Sequence, residues 1–348
     1  MKAESFIGWD VGGAHLKMAH VDMTGKIIAA HQFPTPIWQG LDKLHSALTT
    51  ATQYFPADNT RHAVTTTAEL SDIFKDRRTG MDALATRMST SLNNQHLQFY
   101  AGSAGWIEAD RTGQYVNEIA SANWHATASF IAERISTGIL VDIGSTTTDI
   151  IPFTEGKLLN RGYTDYKRLS CQELVYTGIV RTPVMAITED VRFNGILRPV
   201  VAEHFATMAD VYRLTGKLQE QDDMMSTADG KGKSLMDSTR RLARMFAVDI
   251  DEHEDTDMWN NAAHSIADIQ FEKIRRAFDH VRLNMPAIKN PVVVGAGAGR
   301  FLANKLAQTS GYSYMDFAEL LDTTAEIKPY AARSATAVAV AQLARSAA

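Results

Sequence analysis

Phe6-Ile7-Gly8-Trp9-Asp10-Val11-Gly12-Gly13 is an apolar run ending in an aspartate and paired glycines, and Ile139-Leu140-Val141-Asp142-Ile143-Gly144-Ser145 repeats the arrangement further along the chain. Asp10 matches Asp142. Both runs turn tightly into a second alternating run, 16–21 or 148–153, and then pass a Gly-Lys pair, Gly25-Lys26 or Gly156-Lys157, into a third. Apolar strand, glycine turn, strand, Gly-Lys turn and strand is the pattern of a three-stranded antiparallel meander, here predicted twice. An internal repeat of this kind predicts an α/β protein of two similar lobes facing one another. The 348 residues agree, since single cores stop growing near roughly 250–300 residues.

Outward from the first meander, residues 41–55 read as a helix and 62–66 as a strand running into Thr67-Ala68-Glu69-Leu70-Ser71-Asp72. Periodicity then predicts a helix at 80–92, a strand at 97–100 and a helix at 122–134 that bridges to the second lobe. In the second half, 175–179 and 205–214 read as helical. The chain turns polar over 216–260, which predicts an insertion with a short central helix at 235–246. Its 226–233 loop is a candidate lid. The acidic run 249–255 reads as a solvated loop, because like charges this dense repel into water. A buried strand from Val292 enters the turn Gly295-Ala296-Gly297-Ala298-Gly299 and then a helix at 301–309. The alanine-rich stretch 331–345 reads as a helix connecting the lobes. We expect an N-terminal lobe at 1–134 and a C-terminal lobe at 135–348, the latter carrying the insertion and the glycine-rich turn at 292–300.

Composition narrows the partners. Hydrophobic residues at 45% and charged residues at 22% are ordinary globular values, which excludes disordered and collagen-like classes. With a net charge of −5 and scattered Lys and Arg, nucleic acid is not the expected partner. Cys171 is alone, so no internal disulfide framework exists. The start of the chain lacks the apolar stretch of a secretory signal, and no apolar run approaches the roughly 20 residues of a membrane span. A cytoplasmic protein acting on small molecules, with no membrane and no nucleic acid, is expected.

The chemistry sits in the turns. Asp10 and Asp142 place carboxylates at strand ends beside Gly12, Gly13, Gly144 and Ser145, where a glycine backbone approaches phosphate oxygens closely. A carboxylate facing phosphate is repulsive, by roughly 4 kcal/mol for unit charges 4 Å apart at an effective dielectric of 20, so a cation must sit between them. Mg²⁺ suits an all-oxygen site made of one or two carboxylates and phosphate. Asp10, Asp142 and Asp149 are the candidate ligands, and Thr146, Thr147 and Thr148 add hydroxyls to the second turn. Lys17 is placed either to balance phosphate charge or to face solvent. Gly295, Gly297 and Gly299 form a strand-to-helix turn suited to a phosphate or an adenine. A dinucleotide fingerprint fits less well there, because Arg300 stands where its third glycine belongs. Glu69 and Asp72 are candidate proton acceptors or helix caps, and Lys167 and Arg168 are weaker candidates for a substrate carboxylate.

The two hairpins, the 65–72 segment, the Val292–Gly299 turn and the terminal alanine-rich helix occur in the order of the acetate and sugar kinase, Hsp70 and actin superfamily. Within it, the chain resembles the hydantoinase/oxoprolinase-related proteins, above all those of the tetrahydromethanopterin-linked one-carbon pathway. Asn160-Arg161-Gly162-Tyr163-Thr164-Asp165, Tyr176-Thr177-Gly178-Ile179-Val180-Arg181-Thr182-Pro183 and Thr227-Ala228-Asp229-Gly230 are further family-like stretches. The resemblance implies a two-lobed, ribonuclease H-like and actin-like fold with a central cleft. It also implies a synthase of methanofuran-type cofactors that condenses a furan-methyl diphosphate with a phenolic amine or amino-acid acceptor. Its hairpins would grip the diphosphate, with Mg²⁺ as cofactor and no need for ATP. Superfamily hairpins often carry Thr after the paired glycines, whereas this chain has Ala14-His15, which weakens the case for ATP. The alternatives are an ATP-dependent kinase or hydantoinase-like ATPase acting on a small molecule, and a non-catalytic nucleotide-binding protein.

Overall fold

The computed structural model describes residues 5–56, 59–93, 96–193, 195–250, 256–286 and 291–348. The first lobe is built on β1 (Ser5–Val11), β2 (His15–Asp22), β3 (Ile27–Pro34), β4 (Thr60–Thr66), β5 (Leu97–Tyr100) and β6 (Trp106–Glu108), with α1 (Asp42–Ala51) and α2 (Arg77–Ser91) between them. The strand order is β3-β2-β1-β4-β5-β6. The chain then runs through α3 (Val116–Ile119) and α4 (Asn123–Ala132) into β7 (Thr137–Ile143), β8 (Thr148–Thr154), β9 (Lys157–Leu158), α5 (Asp165–Ser170) and β10 (Leu174–Val175). A separate hairpin, β11 (Asp190–Phe193) with β12 (Ile196–Pro199), precedes α6 (Met208–Leu214), α7 (Leu235–Arg244) and α8 (Thr256–Leu283). The last elements are β13 (Val292–Ala296), α9 (Arg300–Ser310), β14 (Ser313–Asp316), α10 (Lys328–Arg333) and α11 (Ala335–Ser346). The second sheet runs β10-β8-β7-β13-β14, with β9 on β8.

The two sheets share one plan. β1 has an antiparallel partner on one side, β2, and a parallel one on the other, β4. β7 has β8 and β13 in the same relation. All seven residues of β1 are buried, as a central strand covered on both faces requires. This is the two-lobed architecture of the sugar kinase, Hsp70 and actin class.

A shared layer of helices joins the lobes. Trp124 and Ile131 of α4 and Ala335, Val338 and Ala339 of α11 pack in one cluster with Phe6 and Ala19 of the first sheet and Leu140 and Ile151 of the second. The small side chains of α11 let its backbone press on β1 at Gly8. A Cβ at Gly8 would stand 1.9 Å from the Ala337 carbonyl oxygen. No described helix is long and apolar enough to cross a membrane.

Several expectations change. The segment 175–179 is not helical, because Leu174 and Val175 pair with Asp149 and Thr148 on β8. Gly178 then presses on the 144–146 backbone, where a Cβ would lie 2.5 Å from Ser145 C and Thr146 N. Short apolar runs cannot be told apart as strand or helix by periodicity. The terminal helix is two helices broken at Ser334, with a proline in the first turn of α10. The 28-residue α8, absent from the sequence reading, spaces Trp259, Ala262, Ile266, Ile274 and Phe278 along one buried face among many charged residues. Residues 251–255 of the acidic run lie outside the described residues.

Gly8→Ala should destabilise the protein by about 3 kcal/mol or more, since overpacking costs about 1–3 kcal/mol even where flexible side chains give way, and here the obstacle is backbone. Urea unfolding checks this, and wild-type stability would show that α11 does not pack as described.

Candidate functional site

The two hairpin tips have the same construction. The Gly12 N–H donates to the His15 carbonyl and the Gly144 N–H to the Thr147 carbonyl, each at 2.9 Å. Below these turns, Asp10 stands opposite Lys17 and Asp142 opposite Asp149. Both tips open onto one cleft of about 600 Å³. Gly12, Gly13 and Lys17 from the first lobe and Gly144, Ser145, Thr146 and Thr147 from the second line it, together with Asp10, Asp142 and Asp149.

The three aspartates differ in what offsets their burial. Asp10 meets the Lys17 ammonium at 3.6 Å. Burial raises its pKa and Lys17 opposes the rise. Asp149 accepts a 2.5 Å hydrogen bond from Arg168, whose guanidinium also lies over Trp124, 4.3 Å from the ring centre. Burial pushes the Asp149 carboxyl up and Arg168 pulls it down. Asp142 has no ion pair among the described residues. Burial, then the charges of Asp149 and Asp10, push it up to about 7, with Lys17 opposing.

That set of groups fits a hard cation. An unbalanced carboxylate with two more beside it, in a cleft also lined by Ser145, Thr146 and Thr147, offers oxygen ligands. The Ser145 hydroxyl is buried without a hydrogen-bond partner. Among the described residues, no group of three or more His, Cys, Asp or Glu side chains is placed to hold a metal ion. A Mg²⁺ held here would therefore complete its shell with water and phosphate oxygens, its usual habit.

Other candidates fall elsewhere. The Thr148 hydroxyl is buried and donates to the Thr177 carbonyl at 2.8 Å. Gly295, Gly297 and Gly299 are not among the cleft-lining residues. Gly297 has φ +78°, and a Cβ there would come within 2.5 Å of an Asp142 carboxylate oxygen, while the Gly299 N–H donates to the Ile143 carbonyl at 2.8 Å. The glycine turn thus braces the tip of β7 from behind. Asp72 lines the cleft and is exposed. Glu69 is wholly buried behind the wall, where burial pushes it up to about 7. Lys167 is exposed, and Arg168 is buried against Asp149 and Trp124, so Arg168 is not free to bind a substrate carboxylate.

Sequence reasoning missed several cleft residues. Arg181 has no ion pair among the described residues and lies over Trp38, 5.1 Å from its ring centre. The Nε2 of buried His15 has no hydrogen-bond partner among the described residues, and burial, then Lys17, Arg181 and Lys233, hold the ring neutral with a pKa of about 3. Ser121, Asp165 and Tyr176 form a further part of the wall. Arg181, Tyr176 and Asp165 sit inside stretches singled out in the sequence, but which of them face the cleft depends on how those stretches fold. The insertion is tied down, with Asp229 bonded to Arg241 at 3.1 Å and Asp222 to Arg333 at 2.9 Å.

The hydantoinase/oxoprolinase family matches residues 61–346. Over 295 residues the chain is 31% identical to the (4-{4-[2-(gamma-L-glutamylamino)ethyl]phenoxymethyl}furan-2-yl)methanamine synthase of Methanocaldococcus jannaschii, covering 84% of this chain and 86% of that protein. A protein of the same name from Methanococcus vannielii is 32% identical over 174 residues, 49% of this chain and 76% of that one. Among solved structures, a nucleotide-free acetone carboxylase aligns with a TM-score of 0.56 at 10% identity, over 90% of this chain and 68% of that one, which is a likeness of fold.

The environment of Asp142 can be tested in chelator-treated protein. Its folded-state pKa of about 7 exceeds the ordinary value of about 3.9, so the folded state holds the extra proton and stability falls as pH rises between the two. Asp142→Asn lacks this loss, so in urea unfolding the variant should gain on wild type from about pH 4 to about pH 8. A constant difference across that range would refute the raised value.

Proposed function

The chain belongs to the hydantoinase/oxoprolinase family, and from that premise we propose that it is a transferase of methanofuran-type cofactor biosynthesis, joining a furan-methyl diphosphate to the phenol of a tyramine-type acceptor. The observation that carries this reading is the pair of hairpin tips facing one cleft, with Asp142 between them lacking an ion pair among the described residues. The relative's name describes a product in which a phenol oxygen is bonded to a furan-bearing CH₂. Forming that ether breaks the bond from CH₂ to diphosphate, makes the bond from CH₂ to the phenol oxygen, and releases the phenol proton. The furan oxygen donates electrons into the developing cation, so departure of diphosphate is the step the protein must assist.

The chain's own groups suit that task. Lys17 and Arg181 supply positive charge, the backbones of Gly12–Gly13 and Gly144–Ser145 allow close approach, and Thr146 and Thr147 add hydroxyls. Donors fixed before the reaction stabilise a departing oxyanion without reorganising. A Mg²⁺ held by Asp142, with Asp10 and Asp149 beside it, would neutralise diphosphate charge as the bond breaks. Trp38, Leu70 and Tyr176, which are 37%, 53% and 62% exposed, give the cleft an apolar wall for the furan and phenol rings.

The test supplies Mg²⁺, an (aminomethyl)furan-methyl diphosphate and γ-glutamyltyramine without ATP. Ether and diphosphate should form in equal amounts, read by mass spectrometry and a diphosphate assay. Substrate-dependent release of ADP from added ATP, with no ether, would overturn the reading in favour of a kinase or ATPase. Arg181→Gln should weaken binding of the diphosphate substrate by about 10- to 100-fold, the worth of one charge-assisted hydrogen bond. Its melting temperature should hold, because Arg181 is exposed and makes no ion pair among the described residues.

A further inference from the structure

Ser121 has one hydroxyl proton and two carboxyl groups to bond. Its Oγ lies 3.2 Å from Glu69 Oε1 and 3.0 Å from Asp165 Oδ2. A single O–H donates to one of them only. The second short contact is attractive when that carboxyl is itself protonated and donates to the serine oxygen. Two ionised carboxylates on one hydroxyl would leave a buried charge facing a lone pair.

Position decides which group holds the proton. Glu69 has no exposed surface, and the Thr66 hydroxyl, its other side-chain neighbour, is 3.5 Å away and also donates to the Val11 carbonyl. Asp165 lines the cleft with Ser121 and has Arg168 at 3.9 Å. Of the two, Glu69 is therefore the better holder of the proton. The net effect of the surroundings agrees, since burial and the charge of Asp165 raise the Glu69 pKa and outweigh its own N–H, Ser121 and Arg77, which lower it. Asp165 acts in turn on Tyr176 and Asp149. Ser121 keeps its place with a φ of +53°, a left-handed backbone that a serine rarely adopts, held by its N–H bond to the Thr66 carbonyl at 3.1 Å.

We propose that Asp165 is the base that takes the phenol proton, and that Glu69, held protonated behind Ser121, is its positioning residue. This deepens the transferase reading and rests on it. Glu69 donates to the serine oxygen, which turns the serine proton toward Asp165 Oδ2 and leaves Oδ1 for the substrate. As the phenol oxygen bonds to the furan CH₂ and the diphosphate leaves with the electron pair of the broken bond, the phenol proton passes to Asp165. The exposed ring of Tyr176 and the side chain of Leu70 line the same cleft, where an aryl acceptor can lie beside that carboxylate.

Two measurements test the assignment. Infrared spectra of chelator-treated protein at about pH 6 should show a protonated-carboxyl band that is partly lost in Glu69→Gln, below the pKa of about 7 given to Glu69. An unchanged band would overturn the proton's location. In single turnover with saturating diphosphate substrate, Asp165→Asn should be slower by about 10²- to 10⁴-fold, the usual worth of a positioned base. Ser121→Ala and Glu69→Leu should also slow the reaction, with Glu69→Gln restoring part of the loss because its amide can donate to Ser121. If Asp165→Asn turns over like wild type while Glu69→Gln is as slow as Glu69→Leu, Glu69 is the base and the proposal is wrong. If wild-type protein forms no ether, the transferase reading fails and takes the role of Asp165 with it, while the infrared result still decides where the proton sits.

Discussion

Antiparallel register fixes what faces each buried aspartate at the hairpin tips, setting Asp10 against Lys17 in the first lobe and Asp142 against Asp149 in the second. A buried carboxylate whose partner is removed costs about 3–5 kcal/mol, so an aspartate pair at a strand end demands compensation from outside the hairpin. Arg168 gives it to Asp149, and the surroundings of Arg168 follow from that demand. Trp124 carries its planar face, and the Glu173 carbonyl accepts a further bond at 3.2 Å. Asp142 has no such partner among the described residues, and burial, then the charges of Asp149 and Asp10, hold its pKa up against Lys17.

The fold holds the two tips together through packing of small residues. Gly8 and the alanines of α11 allow the helix backbone to sit against β1, and α4 fills the same layer from the other side. Burial of apolar surface at roughly 25 cal/mol per Å² drives this layer. A side chain at Gly8 would push α11 off β1 at Ala337 and separate the layers there. The insertion adds polar ties, to α10 where Asp222 meets Arg333, and to β3 of the first lobe where Gln32 reaches the sulfur of Met224 at 3.6 Å. The cleft is thus walled by parts that are distant in sequence and fixed by different forces.

The repeat was legible because its signal is local. Strand, aspartate, glycine turn and strand lie within about twenty residues, and tight turns write their requirements into residue type. Gly12, Gly144 and the aspartates were found in this way. The same local logic overreached at Thr148, whose hydroxyl turns inward to the Thr177 carbonyl, and at the 295–299 turn, whose glycines serve close approach to Ile143 and Asp142. Composition told nothing about β10, since Leu174 and Val175 are a strand only because β8 lies alongside them.

The sequence by itself determined the duplicated α/β plan, the aspartates at the strand ends and the glycine turns beside them. Each follows from short-range sterics, the alternation of strand side chains and the backbone freedom of glycine. Tertiary structure alone decided which carboxylates are balanced. Lys17 neutralises Asp10 through hairpin register, but Arg168 comes to Asp149 from α5, and Ser121 comes between Glu69 and Asp165 from the turn between α3 and α4. Charge balance in a buried site depends on distance and desolvation, which act between segments brought together only by folding. For that reason Glu69 and Asp165, both plain acidic residues in the sequence, end as a sealed carboxyl and a cleft carboxylate on either side of one hydroxyl.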